Sequence, residues 1–252
     1  HLSIRRQRQM CIRDSLTYNA GISSEPLVAV NGSNVYVAWS DNTFDGNEEI
    51  FFKRSTDNGT TWQLTQRLTY NSGSSTSPSI AVSSLTGYIF VAWGDNTFGG
   101  NYEIFLKRST NGGVTWDATQ RLTNNNGQSS VPSIAAGDGD VFVAWGDNTF
   151  GNYEIFFKHG TNNGLTWGTT QRLTYNAGTS TLPSVSYSPS NVYVAWSDNT
   201  FDGNSEIFLK RSTDSGDSWG ATQCLTTNSG ASQNPSNAAS GSHVYVAWED
   251  ST

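Results

Sequence analysis

The sequence predicts an all-β protein: a β-propeller of four-stranded antiparallel blades, built on repeats of about 50 residues, with four full blades and a partial fifth. Three observations predict it. The first is the tryptophan spacing. Trp39, Trp93, Trp145, Trp196 and Trp248 each end a Val-Ala-Trp, at intervals of 54, 52, 51 and 52 residues, and the other four, Trp62, Trp116, Trp167 and Trp219, end a second recurring segment. A fixed period of this size marks a stacked or circular array of one small sheet. The second is composition. The 25 glycines and abundant Asn, Ser and Thr supply tight turns, and 12% aromatic residues supply core volume without helices. The third is that the central strands are apolar on both faces, with Val35, Val37 and Trp39 on one and Tyr36 and Ala38 on the other. Such a sheet needs a neighbour on each side, which a ring of face-packed blades provides.

In chain order, residues 1–15 stand outside the pattern. They read HLSIRRQRQMCIRDS, with Arg5, Arg6, Arg8 and Arg13 against Asp14. The run resembles translated sequencing adaptor at the end of a metagenomic reading frame, and a disordered arm is expected. The competing reading is a basic arm for membrane or nucleic acid; the run lacks the shape of a signal peptide. The repeats follow as 16–67, 68–121, 122–172, 173–224 and a partial 225–252. Entry at a repeat boundary and exit in mid-repeat predict a fragment of a longer propeller, of six or more blades. Cys224 stands where the other repeats carry Arg67, Arg121 and Arg172, and with Cys11 it makes no disulfide framework.

Within a repeat the first, inner strand follows a proline: 79–82 after Pro78, with Pro132, Pro183 and Pro235 in the same role. The second strand is 88–93, the third 103–108 and the outer fourth 120–123, joined by short Gly/Asn/Asp turns. The final half-repeat leaves strand edges unpaired. Residues 16–19 are expected either to add a strand beside it or to leave the ring open.

The hairpin after the third strand reads Ser55-x-Asp57-x-Gly59-x-Thr61-Trp62. It returns around Ser109, Asn111, Gly113 and Trp116, around Asn162, Gly164 and Trp167, and around Ser212, Asp214, Gly216 and Trp219. Asp or Asn accepts hydrogen bonds from its own turn, Gly supplies positive φ, and Trp fills the gap to the next sheet. The motif resembles the Asp-box, or bacterial neuraminidase repeat, of the sialidase superfamily, and the resemblance covers residues 16–252. It implies that these hairpins are structural and peripheral, on the face opposite the ligand.

On that opposite face, Asp41, Asp95, Asp147, Asp198 and Asp250 form the candidate ligand face, a ring at the channel mouth that would take Ca²⁺ or sugar hydroxyls. The competing reading has each aspartate capping its own turn, and Glu49, Glu103, Glu154 and Glu206 pairing with Lys or Arg of the next strand. Identity in every blade favours capping, because a single active site breaks symmetry. The spacing fails the calcium-loop pattern, so no cofactor is expected beyond that weak Ca²⁺ possibility. The resemblance implies an arginine cluster, a Tyr–Glu nucleophile and an Asp acid/base in a sialidase. This chain has no Phe/Tyr-Arg-Ile-Pro motif, and its inner strands offer Ser79, Ser133, Ser184 and Ser236 instead of arginines. No catalytic residue and no metal ligand is therefore assigned.

A net charge of −7 argues against nucleic acid, and no apolar run approaches the ~20 residues of a membrane span. The expected function is a non-catalytic extracellular or cell-surface domain that binds glycan or protein. The alternative is part of an exo-α-sialidase-type glycoside hydrolase with catalytic residues outside these repeats. A third reading is a purely structural array.

Overall fold

The computed structural model describes residues 15–44, 46–200 and 203–251, and all its regular elements are strands. The arm at 1–14, with Cys11, lies outside the described residues. Blade 1 is β1 (Ser23–Asn31), β2 (Asn34–Asp41), β3 (Glu49–Ser55) and β4 (Gln66–Arg67). Blade 2 is β5 (Ser75–Val82), β6 (Ile89–Asp95), β7 (Glu103–Ser109) and β8 (Gln120–Arg121). Blade 3 is β9 (Ser129–Gly137), β10 (Asp140–Asp147), β11 (Glu154–Thr161), β12 (Thr166–Trp167) and β13 (Gln171–Arg172). Blade 4 is β14 (Ser180–Ser188), β15 (Asn191–Asp198), β16 (Glu206–Ser212) and β17 (Gln223–Cys224), and β18 (Ser232–Ser240) with β19 (His243–Asp250) make a fifth sheet of two strands. Each sheet is an antiparallel meander.

The strand limits differ from expectation at both edges of the blade. The inner strand starts before the proline, not after it, because a bulge between Thr76 and Ser79 absorbs Ser77-Pro78 and pairing resumes on both sides. The outer strand is only two residues long. Beyond it a side chain takes over the ladder: the Ile50 amide donates to Thr69 Oγ1 (2.8 Å), as Ile104, Ile155 and Ile207 do to Thr123, Thr174 and Thr226.

The core lies between blades. Ile50 and Phe52 of blade 1 pack with Ile80, Ile89 and Val91 of blade 2, and the same set recurs at the next two junctions. Trp93, Trp145 and Trp196 are almost wholly buried. At 25 cal/mol per Å² and 150–250 Å² each, every such ring contributes about 4–6 kcal/mol of transfer free energy.

Polar clamps repeat at the same junctions. Lys107 Nζ donates to the Leu68 carbonyl of the preceding blade (2.7 Å), as do Lys158 to Leu122 and Lys210 to Leu173. Lys53 does the same to Leu16 (3.0 Å). Residues 16–19 thus occupy the place that ends a preceding blade, against blade 1, and do not add a strand to β19. Among the described residues the first blade does not pack against the β18–β19 sheet, so the arc is open. Val28 on β1 and Tyr245 and Trp248 on β19 are exposed.

Candidate functional site

The two ends of the sheets carry different chemistry. At the end where the third strand finishes, Asp57 Oδ1 accepts from Ser55 Oγ (2.6 Å) and the Thr61 amide (2.8 Å), and Oδ2 accepts from Thr61 Oγ1 (2.6 Å). These bonds hold the exposed carboxyls of Asp57 and Asp214 down to about 2. Asn111 replaces the acid with the same geometry, its Oδ1 accepting from the Thr115 amide (2.9 Å). Gly113 sits at φ 80° against the preceding blade, where a Cβ would lie 2.6 Å from the Phe52 ring. Trp116, Trp167 and Trp219 each donate Nε1 to a glutamine on the outer strand of the preceding blade, Gln66, Gln120 and Gln171. Ser109, Asn162, Gly164, Ser212 and Gly216 hold the equivalent turn positions, and in the third copy Gly160 replaces the leading serine. Asp57, Asn111 and Asp214 are each engaged in their own turn, whereas Asn162 of the drifted third copy contributes its backbone carbonyl to the Leu165 amide.

At the opposite end Asp41, Asp95, Asp147 and Asp198 are buried, and Asp250 on the last strand is exposed. Asp95 Oδ2 accepts from Asn71 Nδ2 (2.6 Å), Ser75 Oγ (2.7 Å) and Trp93 Nε1 (3.4 Å), and Oδ1 accepts from the Thr97 amide (2.8 Å). Asp147 and Asp198 repeat this set, Asp41 repeats it with Asn19, and Asp250 accepts from Asn228 and Ser232. Burial pushes the Asp41 carboxyl up, but the bonds from Ser23, Thr43 and Asn19 outweigh it and leave it below the usual range. The glutamates pair as capping predicts: Arg67–Glu49 (2.8 Å), Arg121–Glu103 (3.1 Å) and Arg172–Glu154 (2.8 Å). Glu206 is the exception, because Cys224 stands in the arginine's place and turns its thiol to the Thr226 carbonyl (2.9 Å). Among the described residues no three of His, Cys, Asp or Glu gather to hold a metal.

The channel mouth is lined by other residues. A cavity of about 400 Å³ is bounded by the Pro-Ser pairs of the inner strands and by Glu25, Ser77 and Val131. Each residue before an inner-strand proline is left-handed: Glu25, Ser77, Val131, Leu182 and Asn234 have φ of 51–55°. That conformation is unfavourable for all of them, most for β-branched Val131, and it is held by the bulge in each blade. These five positions share a backbone and differ in side chain. Glu25 reaches across to blade 2, where its Oε2 accepts from the Ser77 amide (2.7 Å). The residue before each buried glutamate also varies: Glu48, Tyr102, Tyr153 and Ser205. Desolvation, with the Glu25 charge nearby, raises the Glu48 carboxyl. The sequence signal for this site was the non-identical residue beside each identical proline.

Grooves between the blades form a third set. The one between blades 2 and 3 encloses about 650 Å³, and its counterpart between blades 3 and 4 about 240 Å³. A ladder of rings forms the floor, with Trp145–Phe156 and Phe156–Phe150 centroids both 6.2 Å apart.

A family model described as BNR repeat-like domain matches residues 32–250. This chain belongs to that family. Solved structures resemble this BNR repeat-like domain at low identity. A Hadza microbial sialidase superposes with a TM-score of 0.59 and 13% identity, over 86% of this chain and 61% of that one. The GH93 α-L-arabinofuranosidase of Fusarium graminearum, in complex with arabinobiose, gives 0.65 and 15%, over 89% and 74%. Trypanosoma rangeli sialidase gives 0.61 and 13%, over 92% and 53%. The chain therefore spans about three-fifths of the first sialidase and half of the second. With the family match, these likenesses show the fold: a β-propeller of BNR/Asp-box repeats. Among curated protein sequences none matches this chain. Among the described residues no helix is long and apolar enough to cross a membrane.

Proposed function

We propose that this BNR propeller is a non-catalytic carbohydrate-binding domain, acting outside the cell, whose ligand sits over the channel mouth. One observation carries the reading. Backbone and proline repeat around the mouth, while Glu25, Ser77, Val131, Leu182 and Asn234 differ, so strain is kept where side chains are free to diverge. A symmetric scaffold needs no such divergence; a lopsided ligand does. The inner strands offer serines and no arginine, which suits hydroxyls better than a carboxylate.

Hydrolysis is the second reading, and Glu48 is the observation that favours it. Its raised carboxyl beside Glu25 is the arrangement from which a protonated acid and an ionised partner are made. One titration separates the two readings. Arabinobiose and 3′-sialyllactose are added in turn and followed by saturation-transfer NMR. The expected result is binding of one sugar without turnover, lost in Leu27→Trp, which fills the mouth from an already exposed position. Release of a monosaccharide that Glu48→Gln abolishes would establish the hydrolase instead. If neither sugar binds, the carbohydrate reading falls.

A further inference from the structure

The groove between blades 2 and 3 and the groove between blades 3 and 4 share most of their lining positions, yet one is more than twice the size of the other. One difference in the lining is local. Tyr175 lines the narrow groove, and its ring lies 4.6 Å from the Arg172 guanidinium; Tyr70 covers Arg67 at the same distance in blade 1. Asn124 stands at that position in blade 2. The missing ring leaves the Arg121 side chain 30% exposed, against 12% for Arg67 and 19% for Arg172.

We propose that the groove between blades 2 and 3 is a second carbohydrate site, separate from the channel mouth, which takes a neutral saccharide. Phe150 ends the ring ladder with the Arg172 guanidinium 5.0 Å from its centroid, yet it stays exposed and offers its remaining apolar surface to a sugar ring. Unused hydrogen-bonding groups surround it. Among the described residues the Asn124 amide and the hydroxyls of Thr149 and Thr170 take no protein partner, and Lys158 Nζ spends one donor, on the Leu122 carbonyl. An aromatic surface bordered by a few such groups is the make-up of a small-ligand site. Neutrality follows from charge. Arg121 is paired with Glu103 at 3.1 Å, Lys158 and Asp147 border the groove with opposite charges, and the whole chain carries −7.

Affinity electrophoresis through gels containing arabinan, galactomannan, xyloglucan or polygalacturonate tests this. Asn124→Tyr installs the residue that two sibling blades already hold, so the fold is preserved. Wild type is expected to be retarded by a neutral polysaccharide, and Asn124→Tyr to weaken that retardation at least tenfold. Tyr175→Asn is expected to strengthen it by opening the narrow groove. Leu27→Trp, at the channel mouth, serves as the control. If Leu27→Trp abolishes retardation and Asn124→Tyr does not, the groove site is wrong and the channel reading stands. The converse result leaves the groove and removes the channel. Retardation by polygalacturonate alone, or by none of the four gels, overturns the groove proposal.

Discussion

The two ends of each blade were built by the same duplications and have diverged differently. At the Asp-box end Asp57, Asn111 and Asp214 interchange between acid and amide, because the turn needs only an acceptor for backbone amides. At the loop end the buried Asp and Glu of every complete blade are invariant, yet the residues just beside them, Glu25 and Glu48 among these, change from blade to blade. Repetition therefore marks what holds the blade together at both ends. Divergence marks function only where the diverging side chain faces open space.

The sharpest way to break that comparison is at a junction. Trp93→Ala is expected to cost about 3–5 kcal/mol, since the ring is buried between two blades. Trp62→Ala in the first Asp-box has no preceding blade to lean on among the described residues and is expected to cost far less. Equal losses in a denaturant titration would show that burial at a junction is not what sets the cost of losing a tryptophan.

Next in size is the ion pair missing from blade 4. Cys224→Arg restores the partner that Glu49, Glu103 and Glu154 have and Glu206 lacks. A gain of about 1.5–3 kcal/mol is expected from charge-assisted hydrogen bonds to a buried carboxylate. An unchanged midpoint would mean that Glu206 is already satisfied.

The smallest expected effect concerns acid. Asp57 and Asp214 have folded values near 2, below the ~3.9 of an unfolded aspartate. A lowered folded value stabilises above the unfolded one, so their contribution is complete above about pH 4 and is lost as pH falls toward 2. The double variant Asp57→Asn, Asp214→Asn should flatten that limb while stability at pH 7 stays close to wild type. A limb that keeps its slope would assign the acid transition to other groups, with Asp41, whose carboxyl is also lowered, the first to test.

Much of this was legible in the sequence. The tryptophan period gave the blades, and the Asp-box spacing gave turns whose bonds are now specified. The glutamate–arginine pairs followed from their place on adjacent strands. The edges of the blade were harder. The proline seemed to open the inner strand, because a bulge with a left-handed residue before proline leaves no mark in a hydrophobic pattern. The outer strand looked longer because Thr69 and its counterparts imitate a strand by side-chain bonding. The five aspartates were the candidate ligand face, with turn capping the favoured reading; their carboxylates accept from the asparagine and serine of the adjoining loop, and inner-strand residues line the central cavity. The wide groove was hidden for another reason. It depends on the absence of one ring at Asn124, and a missing side chain shows in a sequence only once its neighbours are known.

The direction of the clamps has its own consequence. Lys107, Lys158 and Lys210 reach back to a leucine carbonyl, and Trp116, Trp167 and Trp219 reach back to a glutamine, in each case on the blade made earlier. For these clamps a ribosome delivering this chain releases the acceptor before the donor, while Arg54, Gln66, Arg108 and Gln171 donate forward to carbonyls of the blade that follows. Each blade can therefore dock on emergence against the one before it, and each junction is completed only when the later blade arrives.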